Sequence, residues 1–102
     1  MAVNTSVTLY RGNATTNTST TLYTVPASTT TIVTSILVSN NSSSTQTFTM
    51  SFDGIAIATT TNLLANTTQV IDMRQVLTTT KLITGGASAT SVSFHICGVE
   101  SV

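Results

Sequence analysis

Apolar and polar residues alternate in short runs along this chain, and clusters of Thr, Ser, Asn and Gly separate the runs. In the clearest run, Phe48, Met50 and Phe52 alternate with Thr and Ser, which is the period-two pattern of a strand buried on one face. Eight such runs follow one another at a spacing typical of an all-β sandwich or barrel. The pattern therefore predicts a small antiparallel β-sandwich of jelly-roll or immunoglobulin-like type, with about eight short strands.

An Asp-Gly pair joins two of these runs. Asp53 and Gly54 stand between the run that ends at Phe52 and the run that begins at Ile55. Both central residues of the tight type I′ hairpin turn need positive φ, and Asp-Gly is one of the pairs that adopt it most readily. We therefore predict a two-residue hairpin turn at this point.

Two other runs have features that predict their place in the sandwich. Thr30–Ser39 is almost entirely apolar at its centre, which predicts a central strand covered on both faces. Thr67–Leu77 carries Asp72 and Arg74, which indicates an exposed or edge strand. A short helical turn over residues 72–77 is the alternative for the end of that run.

The same periodicity predicts which side chains form the core, because residues two apart on a strand share a face. The predicted core consists of Leu22, Ile32, Ile36, Val38, Phe48, Met50, Phe52, Ile55, Ile57, Val92, Phe94 and Ile96.

The composition supports extended backbone and restricts the possible partners. Thr and Ser make up 38 of the 102 residues, and the β-branched residues Thr, Val and Ile make up 42. Only six residues are charged, and their charges sum to zero. Three basic residues without a cluster are too few to neutralise a nucleic-acid backbone, so we expect no nucleic-acid partner.

The apolar runs and the N-terminus bear on localisation. The longest apolar runs are far shorter than the roughly 20 residues of a membrane-spanning helix, so we expect a soluble protein. Residues 1–6 have neither a basic start nor an apolar stretch, so we expect no secretory signal and synthesis in the cytoplasm. We divide the chain into a Thr- and Asn-rich N-terminal arm with the first strand (1–20) and a sandwich body (21–102), in one domain overall.

His95 and Cys97 are candidates for a thiol protease or a metal half-site. In an extended strand they share a face with their side chains about 7 Å apart, too far for a nucleophile and its base to form a hydrogen bond. A metal site needs three or four ligands, and the rest of the chain offers three carboxylates and no other His or Cys. A packed thiol and imidazole explain both residues better, and we predict no catalytic residue, no metal and no cofactor.

Other candidate sites also have structural explanations. The three carboxylates that could act as acid and base in a glycosidase are Asp53, Asp72 and Glu100. Their spacing does not predict convergence, and without Trp only Tyr10 and Tyr23 could stack on a sugar. We expect Asp72 to pair instead with Arg74 or Lys81. One run ends at Gly85-Gly86, which lacks the Lys and helix of a phosphate-binding loop.

Two repeated patterns follow from the abundance of Thr and Ser. Six Asn-x-Ser/Thr sequons begin at Asn4, Asn13, Asn17, Asn40, Asn41 and Asn66, as expected by chance in such a sequence. Thr-x-Thr pairs, which could resemble an ice-binding array, occur at 29/31, 47/49, 59/61 and 78/80. Their intervals are irregular, so no solenoid repeat is present, and Thr on the solvent face of strands explains them.

Three stretches carry a more specific resemblance. They are TLYTVPASTTTIV (21–33), SILVSN (35–40) and SVSFHICGVE (91–100). Together they resemble small virion structural proteins of tailed bacteriophages, namely head-decoration (cement) proteins and related tail or fibre modules, over about residues 20 to 100.

The resemblance implies a virion protein without enzymatic activity. It implies a homotrimer of compact sandwiches that binds the major capsid protein on the outer surface of the phage head, after synthesis in the host cytoplasm. A tail, fibre or receptor-binding module is the alternative, and a free-standing ice- or carbohydrate-binding sandwich is a third. Neither a membrane nor a small-molecule substrate is expected.

Overall fold

The computed structural model describes residues 4–102, and within that range the chain forms strands and no helix. No helix long and apolar enough to cross a membrane occurs there. The strands are β1 (Asn4–Asn13), β2 (Thr21–Thr24), β3 (Thr30–Asn40), β4 (Gln46–Phe52), β5 (Ile55–Leu63), β6 (Thr68–Leu77), β7 (Leu82–Ala87) and β8 (Val92–Ser101). Residues 1–3, part of the predicted 1–20 segment, lie outside the described residues.

The strands form two four-stranded antiparallel sheets with the orders β1-β8-β3-β6 and β2-β7-β4-β5. The first strand pairs with the last, the second with the seventh, the third with the sixth and the fourth with the fifth. This nested pairing is one long hairpin folded over on itself, which is the jelly roll. In an immunoglobulin sandwich the first strand would pair with the second instead. The prediction of an all-β sandwich is confirmed, and the topology selects the jelly-roll form.

The core lies between the two sheets. The ring of Phe48, on β4, meets that of Phe94, on β8, edge to face with 6.3 Å between the ring centres. Both side chains are buried, and so are most of the other predicted core residues. The confirmed set is Leu22, Ile36, Val38, Phe48, Met50, Phe52, Val92, Phe94 and Ile96.

The predictions for β3 were partly wrong, because a β-bulge shifts its alternation. The register against both neighbouring strands shifts between Val33 and Ser35. Thr31 and Val33 face the core before the bulge, and Ile36 begins the inward-facing positions after it. Ile32, predicted in the core, therefore lies on the outer face and is half-buried. The strand is central, as predicted, but its partner sheet covers only one face.

Two other predicted core residues, Ile55 and Ile57, are exposed at 71% and 40%. Both lie on β5, the edge strand of the second sheet. Ile55 is paired with the buried Phe52 and shares its face, but it directly follows the β4–β5 turn and is exposed there. Ile57 falls where the register shifts between Met50 and Ser51, so the simple alternation fails there.

The predicted hairpin turn is confirmed. Asp53 and Gly54 have φ angles of 54° and 75°, so both central residues are in the left-handed region that a type I′ turn requires. β4 and β5 pair directly on either side of this turn.

The structure also shows where β6 and β7 end. The edge position of β6 is confirmed, and it continues as a strand to Leu77 in place of the helical turn. β7 runs through Gly85-Gly86 to Ala87. A Cβ on Gly86 would collide with the carbonyl oxygens of Asn17 and Thr15, because the β1–β2 loop crosses β7 closely at this point. The glycine is therefore required by backbone packing.

β1 is a strand of the first sheet along its whole length. Its residues 4–13 pair in register with β8, with one shift between Thr8 and Tyr10. Ala14 continues the connection by donating its N–H to the carbonyl of Val92. Buried Leu9 and Ala14 contribute to the core.

Candidate functional site

His95 and Cys97 lie on the outer face of β8, each between two neighbouring strands. His95 is paired with Arg11 and Leu37, and Cys97 with Thr8 and Ser35. Both are partly exposed. Within residues 4–102 no group of three His, Cys, Asp or Glu side chains is placed to hold a metal ion. The neighbouring strands thus place Arg11 and Leu37 beside His95, and the hydroxyls of Thr8 and Ser35 beside Cys97.

The three carboxylates lie in three different settings. Asp53, in the hairpin turn, forms an ion pair with Lys81. The distance from Nζ of Lys81 to Oδ1 of Asp53 is 3.5 Å, and both side chains are about half exposed. Asp72 lies on the outer face of β6. The expected pairing of Asp72 with Arg74 or Lys81 was wrong, since the ion pair found among the described residues joins Lys81 to Asp53.

Glu100, the third carboxylate, belongs to a polar contact that joins the two sheets. The hydroxyl of Tyr23, on β2, donates to Oε2 of Glu100 at 2.5 Å and lies 2.8 Å from Oγ1 of Thr31. Burial and the hydrogen bond to Glu100 raise the pKa of Tyr23 to about 12. Thr31 is fully buried, so this contact gives its buried hydroxyl a hydrogen-bond partner. It holds the sheets together at the β2 edge.

Buried polar side chains also account for some of the repeated patterns. Asn40 is 1% exposed, and its amide donates to the carbonyls of Ser44, Leu63 and Leu64. The side chain of this sequon residue therefore stabilises the loop that follows β3. The pair Thr29/Thr31 is buried as well, so the explanation by solvent-facing Thr was wrong for that pair.

A candidate interaction surface is one side of the sandwich, formed by residues 53–81. This segment comprises β5, β6 and their connections, and we call it the β5–β6 edge. β5 ends the second sheet and β6 ends the first, and each is paired on one side only within the described residues. Large exposed apolar side chains concentrate here: Ile55, Ile57, Leu64, Val70 and Val76 are 40–71% exposed.

A cleft of about 320 Å³ opens between the two strands at one end of this edge. Ile55 and Ile57 line it from β5, and Gln75 and Val76 from β6. The rest of its lining comes from Phe52, Asp53, Leu77, Thr78 and Lys81. The cleft is open and mixed in polarity, which suits contact with a protein surface better than capture of a small ligand.

The outward side chains of β6 form a stripe that sequence reasoning missed. Val70, Asp72, Arg74 and Val76 are all exposed, whereas Ile71 and Met73 pack against the core. The signal was present as Val-x-Asp-x-Arg-x-Val, two opposite charges flanked by valines at period two. The two charges predicted an edge strand, but only the fold shows that the two valines share the outer face with them.

Comparison with known proteins supports the fold. No family model and no curated protein matches the sequence. A chain from the crystal structure of the T13 particle of infectious bursal disease virus superposes with a TM-score of 0.56 and 14% identity, over 98% of this chain and 30% of that one. VP2 from a subviral particle of the same virus gives a TM-score of 0.53 and 14% identity, over 98% and 32%. This chain spans about a third of the viral chains that it resembles, and at such identity the likeness shows the fold.

Proposed function

We propose that this protein is a virion structural protein that binds the outer surface of an assembled capsid and stabilises it. The observation that carries the proposal is the nested eight-strand jelly roll, which superposes over nearly its whole length on chains from a viral particle. The stretches 21–33, 35–40 and 91–100, which resemble phage decoration proteins, are in keeping with the same role.

The charge distribution favours the outer surface of the capsid. A protein that faces a packaged genome has to balance phosphate charge with Lys and Arg. This chain has three basic residues in all, and they are dispersed: Arg11 on β1, Arg74 on β6 and Lys81 beside Asp53. The low charge leaves little electrostatic repulsion between neighbouring copies on a crowded shell.

The faces of the sheets are suited to a hydrated protein interface. Half-buried hydroxyls of the outer faces, such as Ser35, Ser93 and Thr47, can bind capsid groups directly or through water. Such contacts do not require the desolvation of ions. The proposed partner is therefore the major capsid protein, and attachment should depend only weakly on salt.

The test is to purify particles of the virus that encodes this chain and to measure its copy number and position by cryo-electron microscopy. We expect many copies on the outside of the head. Particles made without the gene should assemble and then break at lower temperature or under milder osmotic shock. Adding the purified protein back should restore their stability, with bovine serum albumin as the negative control.

Three results would contradict the proposal. A few copies at the tail tip would indicate a tail or fibre module. Failure of heads to assemble without the gene would indicate a shell-building subunit. Depleted particles that are as robust as complete ones would remove the stabilising role.

A further inference from the structure

β6 ends the first sheet and pairs only with β3 among the described residues. Its ten residues, Thr68–Leu77, therefore present a row of unpaired backbone groups along one side. Such an edge is a template for another strand unless it is short, covered or blocked by charge or proline. β6 is long for an edge strand and contains no proline. Its two charged residues, Asp72 and Arg74, have opposite signs, and its register against β3 shifts once, between Asp72 and Gln75.

The outward stripe of β6 is symmetric about Met73. Val70 and Val76 lie three residues to either side of it and are 58% and 60% exposed. Asp72 and Arg74 lie one residue to either side, on the same outer face and with opposite charges. From Met73 towards either end of the strand, the first outward residue is charged and the next is a valine.

This symmetry has a direct consequence for antiparallel self-pairing. When two copies of a strand pair about a two-fold axis at Met73, each residue faces the one equally far on the other side of the axis. Val70 then faces Val76 of the second copy, and Asp72 faces its Arg74. Each of these cross-strand pairs occurs twice, and both apolar and opposite-charge pairs stabilise a sheet.

We propose that β6 pairs with β6 of a second copy of this chain, antiparallel about Met73, to join two sandwiches through one continuous eight-stranded sheet. The partner fits by charge complementarity, since the edge carries one acid and one base at matching positions.

The other edges are less suited to this role. β5 has two register shifts against β4, whereas β6 has one against β3, and Thr60 on β5 has a φ of 45°, so the β5 edge is the more bent. β2 has only four residues. β1 carries Arg11 without an acidic residue to face it in a second copy.

Pairing of β6 with β6 closes on a dimer, whereas the sequence resemblance implies a trimer. The pairing is a property of the isolated protein. It goes beyond the proposed capsid role and does not depend on it.

The first experiment reverses the charges of the stripe. The wild-type protein should sediment as a dimer, at twice the chain mass of 10.6 kDa. Asp72→Arg and Arg74→Asp should each weaken the dimer by about tenfold or more, because each replaces two attractive pairs with two repulsive ones. The double variant D72R/R74D restores opposite charges across the axis and should return the dissociation constant to within about threefold of wild type.

The control is Arg11→Asp, a matched reversal on the opposite edge, which should leave the dimer unchanged. Thermal unfolding of every variant checks that the fold is retained. A monomeric wild type, or a double variant no better than the single variants, would overturn the proposal. So would loss of the dimer in Arg11→Asp alone.

The second experiment tests the register by disulfide formation in a Cys97→Ser background. Val70→Cys faces residue 76 of the other copy, whereas the two copies of residue 70 lie about 20 Å apart along the strands. That distance is far too long for a disulfide. Oxidising a mixture of Val70→Cys and Val76→Cys proteins should therefore cross-link unlike partners, and neither protein should cross-link alone. Equal cross-linking of the single proteins would rule out this register.

Discussion

Phe94 is fully buried, and its ring contacts Phe48 across the interface between the sheets. Truncating it would remove this contact and leave a cavity that the strands cannot close. We expect Phe94→Ala to lower the free energy of unfolding by about 3–5 kcal/mol. Chemical denaturation measures this loss, with Ile55→Ala as the control, since an exposed side chain should cost less than about 0.5 kcal/mol. A loss below about 1 kcal/mol at Phe94 would contradict its place in the core.

Tyr23 makes a residue-scale prediction about pH. Its pKa is raised to about 12 in the folded protein, from an ordinary value of 10.0. Between these values the unfolded chain releases the phenol proton while the folded chain retains it, so stability is lost as pH rises from 10 to 12. We expect the free energy of unfolding to fall across this range in the wild type and to fall less in Tyr23→Phe.

Tyr10→Phe is the matched control for that measurement. The Tyr10 hydroxyl donates to the carbonyl of Asn13 on its own strand and not to a carboxylate. Its removal should leave the alkaline loss of stability in place. An equal alkaline loss in wild type and Tyr23→Phe would show that the contact between Tyr23 and Glu100 does not control it.

At the scale of elements, the β4–β5 hairpin depends on Gly54, whose φ is 75°. A Cβ built at this position meets no atom within 4 Å, so a substitution is opposed by the backbone conformation and not by crowding. We expect Gly54→Val to destabilise the protein by roughly 1 kcal/mol or more. Gly54→Asn should cost clearly less, because Asn tolerates the left-handed region. Equal thermal stability of the Val and Asn variants would contradict this explanation.

The elements also show where sequence periodicity is informative. The period-two run ending at Phe52 and the Asp-Gly turn were predicted correctly, because local backbone preference and alternation decide both. Ile32 and Ile57 were misplaced because bulges change the alternation, and a bulge depends on pairing with neighbouring strands.

At the scale of the whole molecule, the first strand lies beside the last. β1 pairs with β8 from Asn4 to Asn13, and the β1–β2 loop is bonded to β7 through Thr15 and Thr20. Deleting residues 1–20 would leave β8 unpaired on one side and remove buried Leu9. We expect residues 21–102 alone to lack cooperative unfolding, as measured by circular dichroism during heating.

Full-length protein, unfolded and refolded in the same buffer, is the control for that deletion. Adding a peptide of residues 4–13 to the truncated chain should recover part of the β-sheet signal, because the peptide can occupy the place of β1. Cooperative unfolding of residues 21–102 near the wild-type temperature would show instead that residues 1–20 are a separable arm.

The sequence by itself determined the strand-forming character of this chain, its hairpin turn and most of its core, because β-propensity, turn chemistry and period-two alternation act between near neighbours. The candidate surface was different. Asp72 and Arg74 predicted an edge strand, but only the tertiary structure showed which sheet it ends and that Val70 and Val76 lie on the same outer face. Which strands lie side by side is decided by pairings between distant segments, such as β3 with β6 and β1 with β8. Those pairings depend on the burial of both sheets together, which no local pattern records.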